Sequence, residues 1–263
     1  NPGVVVGVDV GGYTWCGPYG DADADTPMSS QTRLRIGSVT KTFTATVLLQ
    51  LMQEEALSLD DAVSIYLPGV DDAITVRLLA TMRSGIADYT SDPELVARII
   101  ADPTAPHDAD EVIEAGLAAP RLFAPDAQFA YSNTNYAILG RIIEQVSRQP
   151  FASLLSARIL DPLGLSATWW PGDVGTLPSP FGRGYTLTFP GATPDHPVDT
   201  TDFNPAWAST AGALVSTASD LLTYARALGT GSLLEPATHR LRIASLADAP
   251  GLGSGVEYGI GLM

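Results

Sequence analysis

Ser38-Val39-Thr40-Lys41-Thr42-Phe43-Thr44-Ala45-Thr46-Val47-Leu48-Leu49-Gln50-Leu51-Met52-Gln53-Glu54 opens on a serine and runs into the strongest helical pattern of the 263-residue chain. Val39, Phe43, Val47, Leu48, Leu51 and Met52 recur at three- and four-residue spacing, with Gln50, Gln53 and Glu54 on the other side. That spacing predicts an amphipathic helix. Upstream, residues 4–10 and 13–19 read as two short strands joined through Gly11-Gly12. Downstream, residues 57–125 hold short helical patterns broken by Pro68, Gly85, Pro93, Pro103 and Pro106. Further helices are predicted at 135–148, at 151–160 and at 217–228, with mostly loop and a small hairpin over 171–206. Strand pattern returns at the end. The order implies an α/β (α+β) unit in two pieces, residues 1–60 and 200–263, with a mainly helical, loop-rich subdomain at 61–199 inserted between them.

The chemistry starts from the same stretch. On a helix, residues three apart share a face, so the Ser38 hydroxyl and the Lys41 amine can meet. A serine hydroxyl is a poor nucleophile until a base takes its proton. Lysine is such a base only when neutral, a form favoured by burial, nearby cations and the positive end of a helix. Lys41 is the one lysine among 14 basic residues; the other 13 are arginines, which stay protonated in a protein. Tyr131-Ser132-Asn133 follows 93 residues after Ser38, in a turn region before the 135–148 helix. Ser-x-x-Lys and Tyr-x-Asn would co-occur by chance on the order of 1% of the time in a chain of this composition.

Other chemistries lack anchors. Arg35 and Thr40 stand where a phosphate-binding loop ending in Lys41-Thr42 needs glycines, and there is no G-x-S-x-G elbow. No zinc spacing of Cys and His occurs, and no metal site is expected. Asp21, Asp23 and Asp25 alternate like a calcium loop, but its sixth and twelfth positions are Thr26 and Thr32. His107, His196 and His239 read as surface residues. Cys16, a lone cysteine, reads as a small apolar strand residue.

Net charge −15 and a pI near 4.3 argue against nucleic acid or an anionic membrane as partner. No apolar run approaches the roughly 18 residues of a membrane span. The 45% apolar and 16% charged fractions fit a packed globular protein. The chain starts at Asn1 without an initiator Met or signal sequence, as a mature form or a fragment does.

At these residues the sequence resembles the serine β-lactamase and penicillin-recognising family, in its class C β-lactamase and D-alanyl-D-alanine carboxypeptidase branch. The matching stretches are 35–43 (Arg-Ile-Gly-Ser-Val-Thr-Lys-Thr-Phe), 74–79, 83–89 (Arg-Ser-Gly-Ile-Ala-Asp-Tyr), 129–136, 161–165 and 207–212 (Trp-Ala-Ser-Thr-Ala-Gly), in order along nearly the whole chain. The resemblance implies a β-lactamase/DD-peptidase-like fold, an antiparallel sheet flanked by helices. It implies an acyl-enzyme on Ser38, with Lys41 and Tyr131 sharing the proton transfers. Either is open as the acylation base, and a nearby ammonium would favour the Tyr131 phenolate. Asn133 would hold the substrate amide, and Trp207 matches a position near the cleft. The Ser38 N–H would supply one oxyanion donor.

No cofactor is implied; the partner would be a small molecule or peptide (a D-Ala-D-Ala peptide, β-lactam or ester), and the location secreted or cell envelope. The family's third motif, Lys-Thr-Gly or His-x-Gly, is not in the chain. The expectation is a member truncated at both ends, its sheet incomplete, with weak or no turnover alone, since one lost oxyanion donor costs ~100-fold or more. An esterase on the same scaffold and a non-catalytic ligand-binding protein are the alternatives.

Overall fold

The computed structural model describes residues 3–189 and 191–263. The quoted stretch forms helix α1, Thr40–Gln53, after a 3-10 turn at Gly37–Val39. It is buried on almost every side: Phe43, Val47, Leu48, Leu49 and Leu51 are in the core, and so are Thr40, Lys41, Thr44 and Thr46. The expected polar side is therefore confined to the last turn. Threonines tolerate the interior because each hydroxyl finds a backbone partner, Thr40 Oγ1 accepting from Leu214 N at 3.2 Å. Thr44 donates to Thr210 O at 2.8 Å, and Thr46 donates to Thr42 O at 2.8 Å.

Helix α2, Pro93–Ala101, and helix α3, Ala109–Ala118, each start at an aspartate cap, Asp92 and Asp108. Helix α4, Asn133–Ser147, packs beside α1 and ends where Arg148 turns left-handed before Pro150. The 151–160 prediction becomes one helical run, α-helical over Phe151–Leu155, wide-turned over Ser156–Leu160, and carried on to Leu163. The wide turn leads into Pro162, which has no N–H to close an ordinary helical bond. Helix α5 spans Ala218–Thr230, and helix α6, Pro236–Ala244, was not anticipated from the sequence.

Gly140, on α4, faces the Ser209–Gly212 turn so closely that a Cβ would sit 2.2 Å from Thr210 Oγ1. That hydroxyl donates to Tyr136 O at 2.7 Å. Helix propensity alone favours Gly140→Ala by about 1 kcal/mol. Overpacking should reverse the sign, lowering stability by ~1–3 kcal/mol, read as a lower urea midpoint.

The strands form antiparallel two-stranded pairs. β1, Val4–Val10, pairs with β2, Tyr13–Tyr19, across Gly11 and Gly12 at φ +60° and +87°, a two-residue turn that only such residues adopt freely. One hairpin face lies against α5, where Gly7 leaves room for Leu222 and Asp9 pairs with Arg226. The other presents Val4, Val6, Val8, Val10, Tyr13, Trp15 and Tyr19, all exposed. Cys16 is on β2, half-buried and free. Asp21–Asp23 forms a short strand against Thr26–Pro27, with Asp23 paired to Arg183 at 2.9 Å. β3, Leu34–Arg35, pairs with β4, Val215–Ser216. This last pair delivers Ser38 to the site, because Ile36 N also donates to Leu214 O at 3.0 Å and holds the approach to α1 against the 209–216 segment.

Candidate active site

Ser38 is exposed in the turn before α1, following Gly37 at φ +51°. A Cβ there would meet nothing within 4 Å, so it is the left-handed backbone that calls for glycine. One turn on, Lys41 is 2% exposed, with Nζ 3.2 Å from Ser38 Oγ. Nζ also donates to Asn133 Oδ1 at 2.7 Å and to Ala211 O at 2.8 Å. Tyr131 donates its hydroxyl to Ser38 Oγ at 2.8 Å, and its ring centre lies 4.8 Å from Nζ. Ser38, Lys41, Tyr131 and Asn133 thus meet at one point.

An ammonium at Nζ has three hydrogens and three partners. A neutral amine has two hydrogens and one lone pair. The two shorter contacts are to acceptors that cannot donate, the Asn133 amide oxygen and the Ala211 carbonyl. The neutral amine keeps its hydrogens on these, and its lone pair faces Ser38. Burial pushes the Lys41 amine down to about 7, against the pull of Asp88, which favours the charged form. Acylation of Ser38 should therefore be slow in acid and rise with pH through about 7, as the basic form appears. A rate-against-pH profile of acylation measures this, and a flat profile from pH 5 to 9 contradicts it.

For Tyr131 the surroundings work against a phenolate. Burial raises its hydroxyl above the ordinary range; the bond to Ser38 offsets part of this, and Asp88 adds to the rise. The lysine that would stabilise a phenolate is itself pushed toward neutrality. In this geometry the Tyr131 hydroxyl is placed to donate to Ser38 Oγ.

The cleft above Ser38 holds about 470 Å³ and is lined by Asn133, Trp207 and the Pro- and Gly-rich loop, including Thr188, Phe189 and Phe203. Trp207 lines the cleft and also packs against the core. Arg35 ties the loop down, one guanidinium nitrogen donating to Gly175 O, Thr201 O and Phe203 O at 2.6, 3.1 and 2.8 Å. Past Trp207 and Phe189 the cleft continues into an apolar annex of about 320 Å³ lined by Leu95, Val96, Ile99 and Ile100 of α2.

Three features were not assigned from the sequence. Asp88, within the quoted 83–89 stretch, accepts from Asn133 Nδ2 at 2.9 Å; its signal was its place in that stretch. Ala211 acts through its backbone, and the annex comes from α2; neither leaves a side-chain signature. The histidines lie outside the cleft lining, and His107 corrects the surface reading: its ring is 5% exposed, with Nδ1 3.2 Å from Glu111. Capping by Asp108 starts α3 right after it and carries Glu111 back over the ring. Among the described residues no group of three or more His, Cys, Asp or Glu is placed to hold a metal ion, and no helix is long and apolar enough to cross a membrane.

The family described as Beta-lactamase matches residues 1–263. The crystal structure of a D-stereospecific amidohydrolase from Streptomyces sp. is similar, with a TM-score of 0.90, 34% identity, and coverage of 99% of this chain and 77% of that one. Penicillin-binding protein 4 of Amycolatopsis lactamdurans is 33% identical over 205 residues, which is 72% of this chain and 49% of that protein. Protein flp of Staphylococcus aureus (strain NCTC 8325 / PS 47) is 32% identical over 158 residues, 57% of this chain. The chain spans 30% of flp, well under the full length of these curated relatives.

Proposed function

The chain belongs to the beta-lactamase family, a family of hydrolases, and on that footing we propose that it forms an acyl-enzyme on Ser38 with D-alanyl-D-alanine peptides or β-lactams. The observation that carries this reading is the Tyr131–Ser38–Lys41 chain, with Nζ also within hydrogen-bond reach of Asn133 Oδ1 and Ala211 O, the two acceptors a neutral Lys41 needs for its hydrogens. Ser38 Oγ bonds to the substrate carbonyl carbon as its proton passes to Nζ. Tyr131 gives its proton to the leaving nitrogen and regains one from Lys41, so that the C–N bond breaks and the charge balances. Water then attacks the ester, and Ser38 leaves reprotonated. Asn133, whose nitrogen has a second N–H beyond the one given to Asp88, orients the substrate amide. Trp207 forms the cleft wall. A secreted or envelope location belongs to the same proposal.

A second reading, hydrolysis of D-amino-acid amides with bulky side chains, is supported by the apolar annex and by the likeness to a D-stereospecific amidohydrolase. The test is to incubate the purified chain with fluorescent penicillin, D-phenylalanine amide and a p-nitrophenyl ester, and to map any adduct by mass spectrometry. Penicillin on the peptide bearing Ser38 is the expected result. Amide hydrolysis without that adduct favours the second reading, and ester turnover alone favours an esterase. Reversible binding alone makes this a non-catalytic binding protein.

A further inference from the structure

Asn133 stands between two groups of opposite hydrogen-bonding capacity. A carboxylate only accepts and an ammonium only donates. Asn133 Nδ2 donates to Asp88 Oδ2 at 2.9 Å, while its Oδ1 accepts from Lys41 Nζ at 2.7 Å. Chemistry on both sides fixes which end of the amide points where. Asp88 is itself held: its other oxygen accepts from Thr90 N at 3.0 Å, and Ala87 O accepts from Ser132 Oγ at 3.1 Å and Thr134 Oγ1 at 2.7 Å.

We propose that Asp88 is a positioning residue: by accepting from the Asn133 amide nitrogen it locks the amide oxygen onto Lys41, and so aims the Lys41 lone pair at Ser38. Without the carboxylate, nothing on the Asp88 side rejects a reversed amide. Reversal puts Nδ2 against Nζ, donor against donor. A neutral Lys41 relieves that clash by turning its lone pair onto Asn133, away from Ser38. The groups that face Lys41 are Asp88 beyond Asn133, Tyr131 from the segment before α4, and the Tyr136 ring on α4 at 5.7 Å. Arg242 also binds α1, through Thr42 O and Thr46 Oγ1. Of these, Asp88 pulls Lys41 toward the charged form. Its loss therefore lowers the pH at which Lys41 titrates, through both the lost field and the reversed amide.

The inference rests on Ser38 as nucleophile and Lys41 as base, but it is tested without turnover. Lys41 is the sole lysine, so protein grown on side-chain 13C-labelled lysine gives one NMR signal that titrates with Nζ. Asp88→Asn and Asp88→Ser, each alone and with Asn133→Ala, complete the set; the serine keeps a hydroxyl acceptor for Thr90 N and so preserves the turn. The expected result is a fall of about 1 pH unit or more in the Lys41 midpoint for either Asp88 variant. The fall should be clearly smaller in the Asn133→Ala chain, where only the field remains. Penicillin labelling should also slow about tenfold in Asp88→Ser.

Equal shifts with and without Asn133 leave only a distant charge effect and overturn the inference, as does an unmoved midpoint. If Ser38 is never labelled, the functional reading fails while the titrations still decide the role of Asp88. If it is labelled at an unchanged rate in Asp88→Ser with an unmoved midpoint, only the role of Asp88 fails.

Discussion

Arginine at position 41 is expected to slow acylation of Ser38 by roughly 10³-fold, within the range attributed to a lost general base. The substitution preserves the positive charge of the free side chain, so an electrostatic role for Lys41 would survive it. What it removes is the neutral form, because a guanidinium keeps its proton at every pH an enzyme meets. Wild-type acylation should climb through about pH 7 with loss of the Lys41 proton, whereas Lys41→Arg should stay flat to pH 10. Size contributes too, since Nζ is enclosed by Asn133, Ala211 and the Tyr131 ring. Lys41→Met separates the two effects: it fits the space without a base, and should be as slow as the arginine. Labelled-penicillin kinetics across pH make the measurement. Fast acylation in both variants would hand the proton to Tyr131 instead.

The second large effect concerns stability. Arg242, on α6, is 1% exposed. Its guanidinium donates to Ile260 O at 3.0 Å, Thr46 Oγ1 at 2.9 Å, and both Thr42 O and Gly261 O at 3.2 Å. It thereby fastens the last residues of the chain to the middle of α1. Burial pulls its proton affinity down, and the phenols of Tyr224, Tyr136 and Tyr258 push it back up. Arg242→Leu takes the donor from the buried Ile260 O and Gly261 O and unties the chain end from Thr42 and Thr46, so destabilisation of ~3–5 kcal/mol is expected. Arg242→Lys supplies only three donors from a single nitrogen and should lose a smaller amount. Urea denaturation of the three proteins decides the order; a leucine variant as stable as wild type would show that the clamp contributes nothing net.

Lys41 and Arg242 put the two basic residue types to opposite uses. Both lie inside the protein, one under a nucleophile that needs a removable proton, the other under carbonyls that need permanent donors. The sequence made the first visible, because Ser38 and Lys41 are one helical turn apart and local spacing suffices to read them. It concealed the second, because Arg242 meets Thr42 and Thr46 across nearly 200 positions. The same division runs through the fold. α1, α4, α5 and the first hairpin follow from periodicity and turn residues within a dozen positions. The full burial of α1 does not, since its threonines look polar until their hydroxyls find carbonyls. α6 has no comparable signature, because its pattern is polar and short. The cleft wall depends on Arg35 gathering carbonyls from three places in a loop, and Asp88 depends on Asn133 being turned to meet it.

The outward face of the first hairpin carries valines and aromatic rings in a single ribbon, on a molecule of net charge −15. Two forces of different reach then act between copies. Like charge repels over the Debye length, about 10 Å at 0.1 M salt and about 3 Å at 1 M, while the ribbon attracts only on contact. Raising the salt shortens the reach of the repulsion without weakening the contact, so self-association of this acidic chain is expected to grow with ionic strength. Among the described residues the two strands of the ribbon pair only with each other, and copies brought that close have a template along which to align.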